Sequence, residues 1–66
     1  MIIYIVIGVY AGVVDTVEAF LDEEKAHAFE KEVCEQLGVP YDTEERIKYQ
    51  SGVHEHNVHF YTVEAK

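Results

Sequence analysis

The sequence predicts an α+β fold: a three-stranded antiparallel sheet of order 2-1-3 with one main helix on one face, in the element order ββα(α)β. Three observations lead there. Two β-branched and aromatic runs flank Ala11-Gly12, one stretch from Asp22 has apolar residues at spacings of three and four, and a last alternating run begins at Asn57. All 66 residues are expected to form a single domain, 1–66, since chains of this length seldom hold two cores.

The opening run Ile2 to Tyr10 is apolar on both parities, as a central strand covered on both faces would be. Ala11-Gly12 supplies a two-residue hairpin turn. Val13 to Phe20 returns as a second strand, an edge strand because Asp15, Thr16 and Glu18 are mixed into it. A simple two-residue hairpin sets Tyr10 opposite Val13, Ile7 opposite Thr16 and Ile3 opposite Phe20. Asp22 then caps a helix whose first turn carries Glu23 and Glu24, both favourable at the positive end of the helix dipole. Ala26, Phe29, Val33 and Leu37 share one stripe of it, and Gly38 with Pro40 stops it. Asp42-Thr43-Glu44-Glu45 repeats the cap signature for a short helix carrying Ile47 and Tyr49, which Ser51-Gly52 ends. Val58, Phe60 and Thr62 alternate with His59, Tyr61 and Val63 in the last strand, placed beside the first by a right-handed crossover.

One helix covers one sheet face, so the parity of the central strand decides what is left over. Ile3, Ile5, Ile7 and Val9 are purely aliphatic and are assigned to the helix stripe. Tyr4, Val6 and Tyr10 then fall on the open face with Tyr61 and Val63. These five are the expected interface, because tyrosine joins a large apolar body to a polar tip and is enriched where one chain covers another.

The residues Phe20, Asp22, Glu24, Ala26 and Phe29 form a Phe-x-Asp-x-Glu-x-Ala-x-x-Phe segment leading from the second strand into the helix. In this, and in its tyrosine-bearing first strand and hairpin, the chain resembles small archaeal, bacterial and phage proteins of unknown function. The resemblance implies a ββαβ fold and carries over no active site; the histidine-rich stretch lies outside it.

Composition narrows the function classes. Thirteen acidic against five basic residues give a net charge of −8, which disfavours nucleic acid and anionic membrane surfaces as partners. No apolar run reaches the roughly 20 residues of a membrane span, and the first residues lack the basic start of a signal peptide, so a cytoplasmic protein is expected. A single cysteine, Cys34, excludes an intramolecular disulfide and is read as a small hydrophobe at the edge of the stripe. Ser51 has no placed base, and Gly8 to Gly12 lacks the lysine and the following helix of a phosphate loop. An enzyme is not expected, because so short a chain makes few pockets of the roughly 300 Å³ that ligand sites occupy.

The one segment with metal-ligand density is His54-Glu55-His56-Asn57-Val58-His59. Two imidazoles two residues apart point the same way on a strand, so His54 and His56 could share a Zn or Ni ion, while His59 has the opposite parity. The leading expectation is therefore a non-enzymatic interaction module without a cofactor, a homodimer formed through the open sheet face. The alternatives are a metal-binding protein using His54 and His56, and an acidic decoy of nucleic acid.

Overall fold

The computed structural model describes residues 1–65. Strand β1 (Ile2–Tyr10) is followed by β2 (Val13–Phe20), helix α1 (Glu23–Leu37), helix α2 (Thr43–Gln50) and β3 (Asn57–Glu64). The strands form one antiparallel sheet in the order β2-β1-β3, so β1 is central, as its two apolar parities require. Both helix starts behave as their cap residues dictate. Asp22 accepts from the backbone N–H of Glu24 and Lys25, and Asp42 accepts from those of Glu44 and Glu45. Gly38 ends α1 with a φ of 72°, a left-handed conformation that glycine adopts without a Cβ penalty.

The hairpin tip is the expected two-residue loop, and the departure lies below it in the register. Ala11 and Gly12 both take positive φ, 52° and 79°, which is the twist a two-residue hairpin needs. Alanine is disfavoured there by about 1 to 2 kcal/mol. The loop before β3 secures the turn from outside: the Ala11 N–H donates to His56 Nδ1 at 3.0 Å, and the Gly12 N–H donates to the Glu55 carbonyl at 2.8 Å. Tyr10 pairs with Val13 as expected, but the register then shifts. Val9 pairs with Val14 and Gly8 with Thr16, so Asp15 is an extra residue in β2. Beyond this bulge Ile7 faces Val17 rather than Thr16, and Phe20 pairs with Tyr4 rather than Ile3.

The parity of β1 is opposite to the expected one. Val6 is 0% exposed and sits in the core cluster with Val33, Cys34, Val39 and Val58, ringed by Phe20, Phe29, Leu37, Tyr49 and Phe60. Residues directly opposite in a ladder share a face, so the pairing of Val6 with Phe60, Gly8 with Val58 and Tyr4 with Phe20 fixes the even positions under α1. Tyr4, Val6 and Tyr10 therefore do not belong to the open face; Ile3, Ile5, Ile7 and Val9 do. Close approach is the reason. A Cβ added at Gly8 would lie 3.0 Å from Val33 Cγ1, so the helix settles where the strand has no side chain and could not settle on the branched odd row. On β3 the expected assignment holds: Phe60 packs on the helix side, and Tyr61 and Val63 lie opposite Ile5 and Ile3.

Candidate functional site

Two surfaces stand out once the faces are assigned. The first is the open side of the sheet. Ile3, Ile5, Ile7 and Val9 form its central row, with Val17 and Ala19 paired to Ile7 and Ile5 on one flank. Tyr61 and Val63 pair with Ile5 and Ile3 on the other, and His59 continues that flank beside Ile7. The flanking Val17, Tyr61 and Val63 are 59%, 51% and 46% exposed. None of these residues is an acid, a lysine or an arginine, in a chain with 18 such residues. Tyr61 and Val63 are on this face as expected, and the aliphatic row of β1, expected in the core, is on it too.

The second surface is a cleft of about 650 Å³ between α1, α2 and β3. That is larger than the sequence led us to expect of so short a chain. Helix α2 is tethered beside the cleft by Arg46, Tyr49 and Gln50. Arg46, the chain's single arginine, makes the main tether. Its guanidinium donates to the Glu30 carboxylate, to Cys34 Sγ at 3.1 Å and to the Tyr41 carbonyl at 3.1 Å, while Nε donates to the Pro40 carbonyl at 3.1 Å. Glu30 is 5% exposed, and its other oxygen accepts from His27 Nδ1 at 3.0 Å. The His27 ring in turn stacks on Phe60, with centroids 4.5 Å apart. A buried carboxylate is tolerated only when paired and hydrogen-bonded, and here both oxygens are taken. Glu30 and Arg46 were not singled out from sequence. Glu30 lies four residues after Ala26 and four before Cys34, on the buried stripe itself, and that position was the available signal.

This cluster is built as a fastening. Every polar atom of Arg46 and Glu30 points at a protein partner, and among the described residues no buried side-chain N or O lacks one. Cys34 is fully buried rather than at a boundary. Burial pushes its thiol pKa above the ordinary 9.0; the Arg46 charge opposes that shift and Glu30 adds to it. A thiol held protonated is a poor nucleophile. Partial burial, followed by the Glu23 and Asp22 carboxylates, likewise raises the Tyr4 hydroxyl above its ordinary 10.0.

The histidines have separate partners. His54 stacks on Tyr49 with centroids 3.7 Å apart. His56 stacks on Tyr10 at 4.6 Å and uses Nδ1 to accept from Ala11, which leaves its proton on Nε2. His59 is on the open face beside Tyr61. Among the described residues no group of three or more His, Cys, Asp or Glu is placed to hold a metal ion. The stretch that carries the candidate ligands also clamps the hairpin and stacks on Tyr49. Among the described residues no helix is long and apolar enough to cross a membrane.

Comparison with family models, with curated proteins and with solved structures finds no match to this chain. The fold and these two surfaces are therefore the whole basis for a functional reading.

Proposed function

We propose that the protein is a non-enzymatic, cytoplasmic interaction module that forms a homodimer by stacking the open sheet faces of two copies. The observation that carries this reading is the uncharged aliphatic row Ile3, Ile5, Ile7 and Val9, flanked by exposed Val17, Tyr61 and Val63. Contiguous exposed apolar patches on monomers seldom exceed a few hundred Å² and usually mark a contact. A second copy suits the face because the face is self-complementary: it brings no charge against a like charge, although each chain carries −8 elsewhere.

Size sets the strength. Three strands roughly 4.8 Å apart and about 28 Å long make a plate of about 400 Å², so two plates bury at least about 800 Å². Stable interfaces bury about 1,200 Å² or more, which makes this dimer weak and reversible. Repulsion between two acidic chains opposes it over a Debye length of about 10 Å, so added salt strengthens association.

Sedimentation equilibrium from low micromolar to near-millimolar protein, at low and high salt, tests the reading. A monomer–dimer equilibrium that salt drives toward dimer is expected. A monomer at every concentration and salt, or a dimer that salt dissociates, would overturn it.

A further inference from the structure

We propose that the outer edge of β3, where it faces α2 across the cleft, binds an extended basic segment of another protein by β-strand addition. This goes beyond self-association and uses a different surface: the edge of the sheet and not its open face.

The backbone carries the argument. The Ala65 N–H donates to the Met1 carbonyl, so odd residues of β3 turn their backbone groups toward β1. Even residues then turn theirs outward, and Val58 confirms it: its carbonyl accepts from Gln50 Nε2 at 3.1 Å, and its N–H donates to the side chain of Asn57. Gln50 also donates to Asn57 at 2.9 Å. The edge is thus closed at Val58 by side chains from α2 and from β3 itself. Two and four residues on, the outward groups of Phe60 and Thr62 have no such cover among the described residues. A row of unpaired N–H and C=O groups is a template for one occupant, a strand.

The cleft gives that strand its place. Thr43, Arg46, Ile47 and Gln50 line it from α2 at the i, i+3, i+4, i+7 spacing of one helix face, and β3 lines it with consecutive residues of both parities, as a strand seen edge-on does. The α2 wall from Thr43 to Gln50 and the β3 wall from Val58 to Tyr61 are each about 10 Å long, a length that suits about three peptide residues. Ile47 is 63% exposed in that wall and offers an apolar contact. Arg46 is consumed by Glu30 and the backbone, whereas Asp42 also lines the cleft in a chain that carries −8 overall, which favours a basic occupant. A segment alternating lysine or arginine with β-branched residues meets both demands. A second copy of this acidic chain does not meet the second.

The test uses the full chain, labelled with nitrogen-15, and a capped peptide of about seven residues alternating lysine and valine. Saturable shifts at the Phe60 and Thr62 amides are expected, with slowed hydrogen exchange there and none at Ile5 or Val17. A glutamate–valine peptide should bind at least about tenfold more weakly. Thr62→Pro removes an outward N–H from an edge strand, a place where proline is accepted, and should abolish the shifts with the melting transition retained. Ile47→Lys, at an exposed position, keeps the test decisive if the proline variant does not fold; it should weaken binding at least about tenfold. No saturable shift, shifts confined to the open face, or protection of Phe60 and Thr62 that rises with protein concentration without peptide would overturn the proposal. The last result would assign the edge to a second copy.

Discussion

The two faces of this sheet are made by the same strands, and they differ in what lies next to the backbone. On the covered face β1 presents Tyr4, Val6 and Gly8, a graded row with a gap at one end into which Val33 of α1 fits. The open face presents Ile3, Ile5, Ile7 and Val9, a level row of branched side chains. The more hydrophobic row is the one left outside. A helix needs a surface it can approach closely, and a strand interior without a Cβ supplies that more readily than an even palisade. A flat uncharged row suits another flat row. Shape, and not mean hydropathy, decides which face is core.

The covered face also holds the buried Arg46–Glu30 ion pair, and removing half of it is the largest single effect short of a charge in the core. Arg46→Ala leaves the buried Glu30 carboxylate with the His27 hydrogen bond but without its cation, and frees the Pro40–Tyr41 turn. It should cost about 3 to 5 kcal/mol in chemical denaturation. Replacing both partners, Glu30→Leu with Arg46→Met, should cost less than Arg46→Ala alone, since no unpaired charge remains. A loss well under 1 kcal/mol for Arg46→Ala would mean that α2 is held by other contacts.

A second experiment sharpens the packing contrast. Gly8→Ala puts a methyl against Val33 Cγ1, and the clash should cost about 1 to 3 kcal/mol by overpacking. Val17→Ala on the open face should leave the monomer within about 1 kcal/mol, because that side chain has little left to lose. Equal losses at the two sites would erase the difference drawn between the faces.

The smallest effect is in alkaline pH dependence. The Cys34 thiol is raised in the folded state, mainly by burial, so the native protein holds that proton more tightly than the unfolded chain does. The stabilisation is complete below the unfolded thiol value near 9.0 and is lost as pH rises toward the folded one. Denaturation midpoints should fall in that alkaline window for the wild type and fall less for Cys34→Ala. Native Cys34 should react with iodoacetamide only through unfolding. Rapid labelling of the native protein would contradict its burial beneath Arg46.

The sheet order and the bounds of all five elements were legible in the sequence because each rests on local signals: cap residues, Gly38, strand alternation and the Ala11-Gly12 turn. The face of β3 was legible too. What was hidden depended on pairs distant in the chain. The bulge at Asp15 moves the hairpin register by one residue with no turn residue to announce it. The parity of β1 follows Gly8, on the even row, and not aliphatic content. In the candidate site, the contacts of the histidine-rich stretch were not legible: Tyr10 and Ala11 engage His56, and Tyr49 stacks on His54. Glu30 with Arg46, and the cleft behind them, needed the placement of α2, which no local pattern supplies.

Neighbouring residues of one strand give the most direct test. Val6→Glu places a carboxylate in a site of 0% exposure and should unfold the domain, at a cost of about 4 kcal/mol or more. Ile5→Glu places the same group on the open face and should leave a folded chain with a normal melting transition that no longer dimerises. Circular dichroism and sedimentation equilibrium on the two variants, side by side with the wild type, read both properties at once. A folded Val6→Glu chain beside an unfolded Ile5→Glu chain would contradict the assignment of faces, and an Ile5→Glu chain that dimerises as its parent does would remove the open face as the interface.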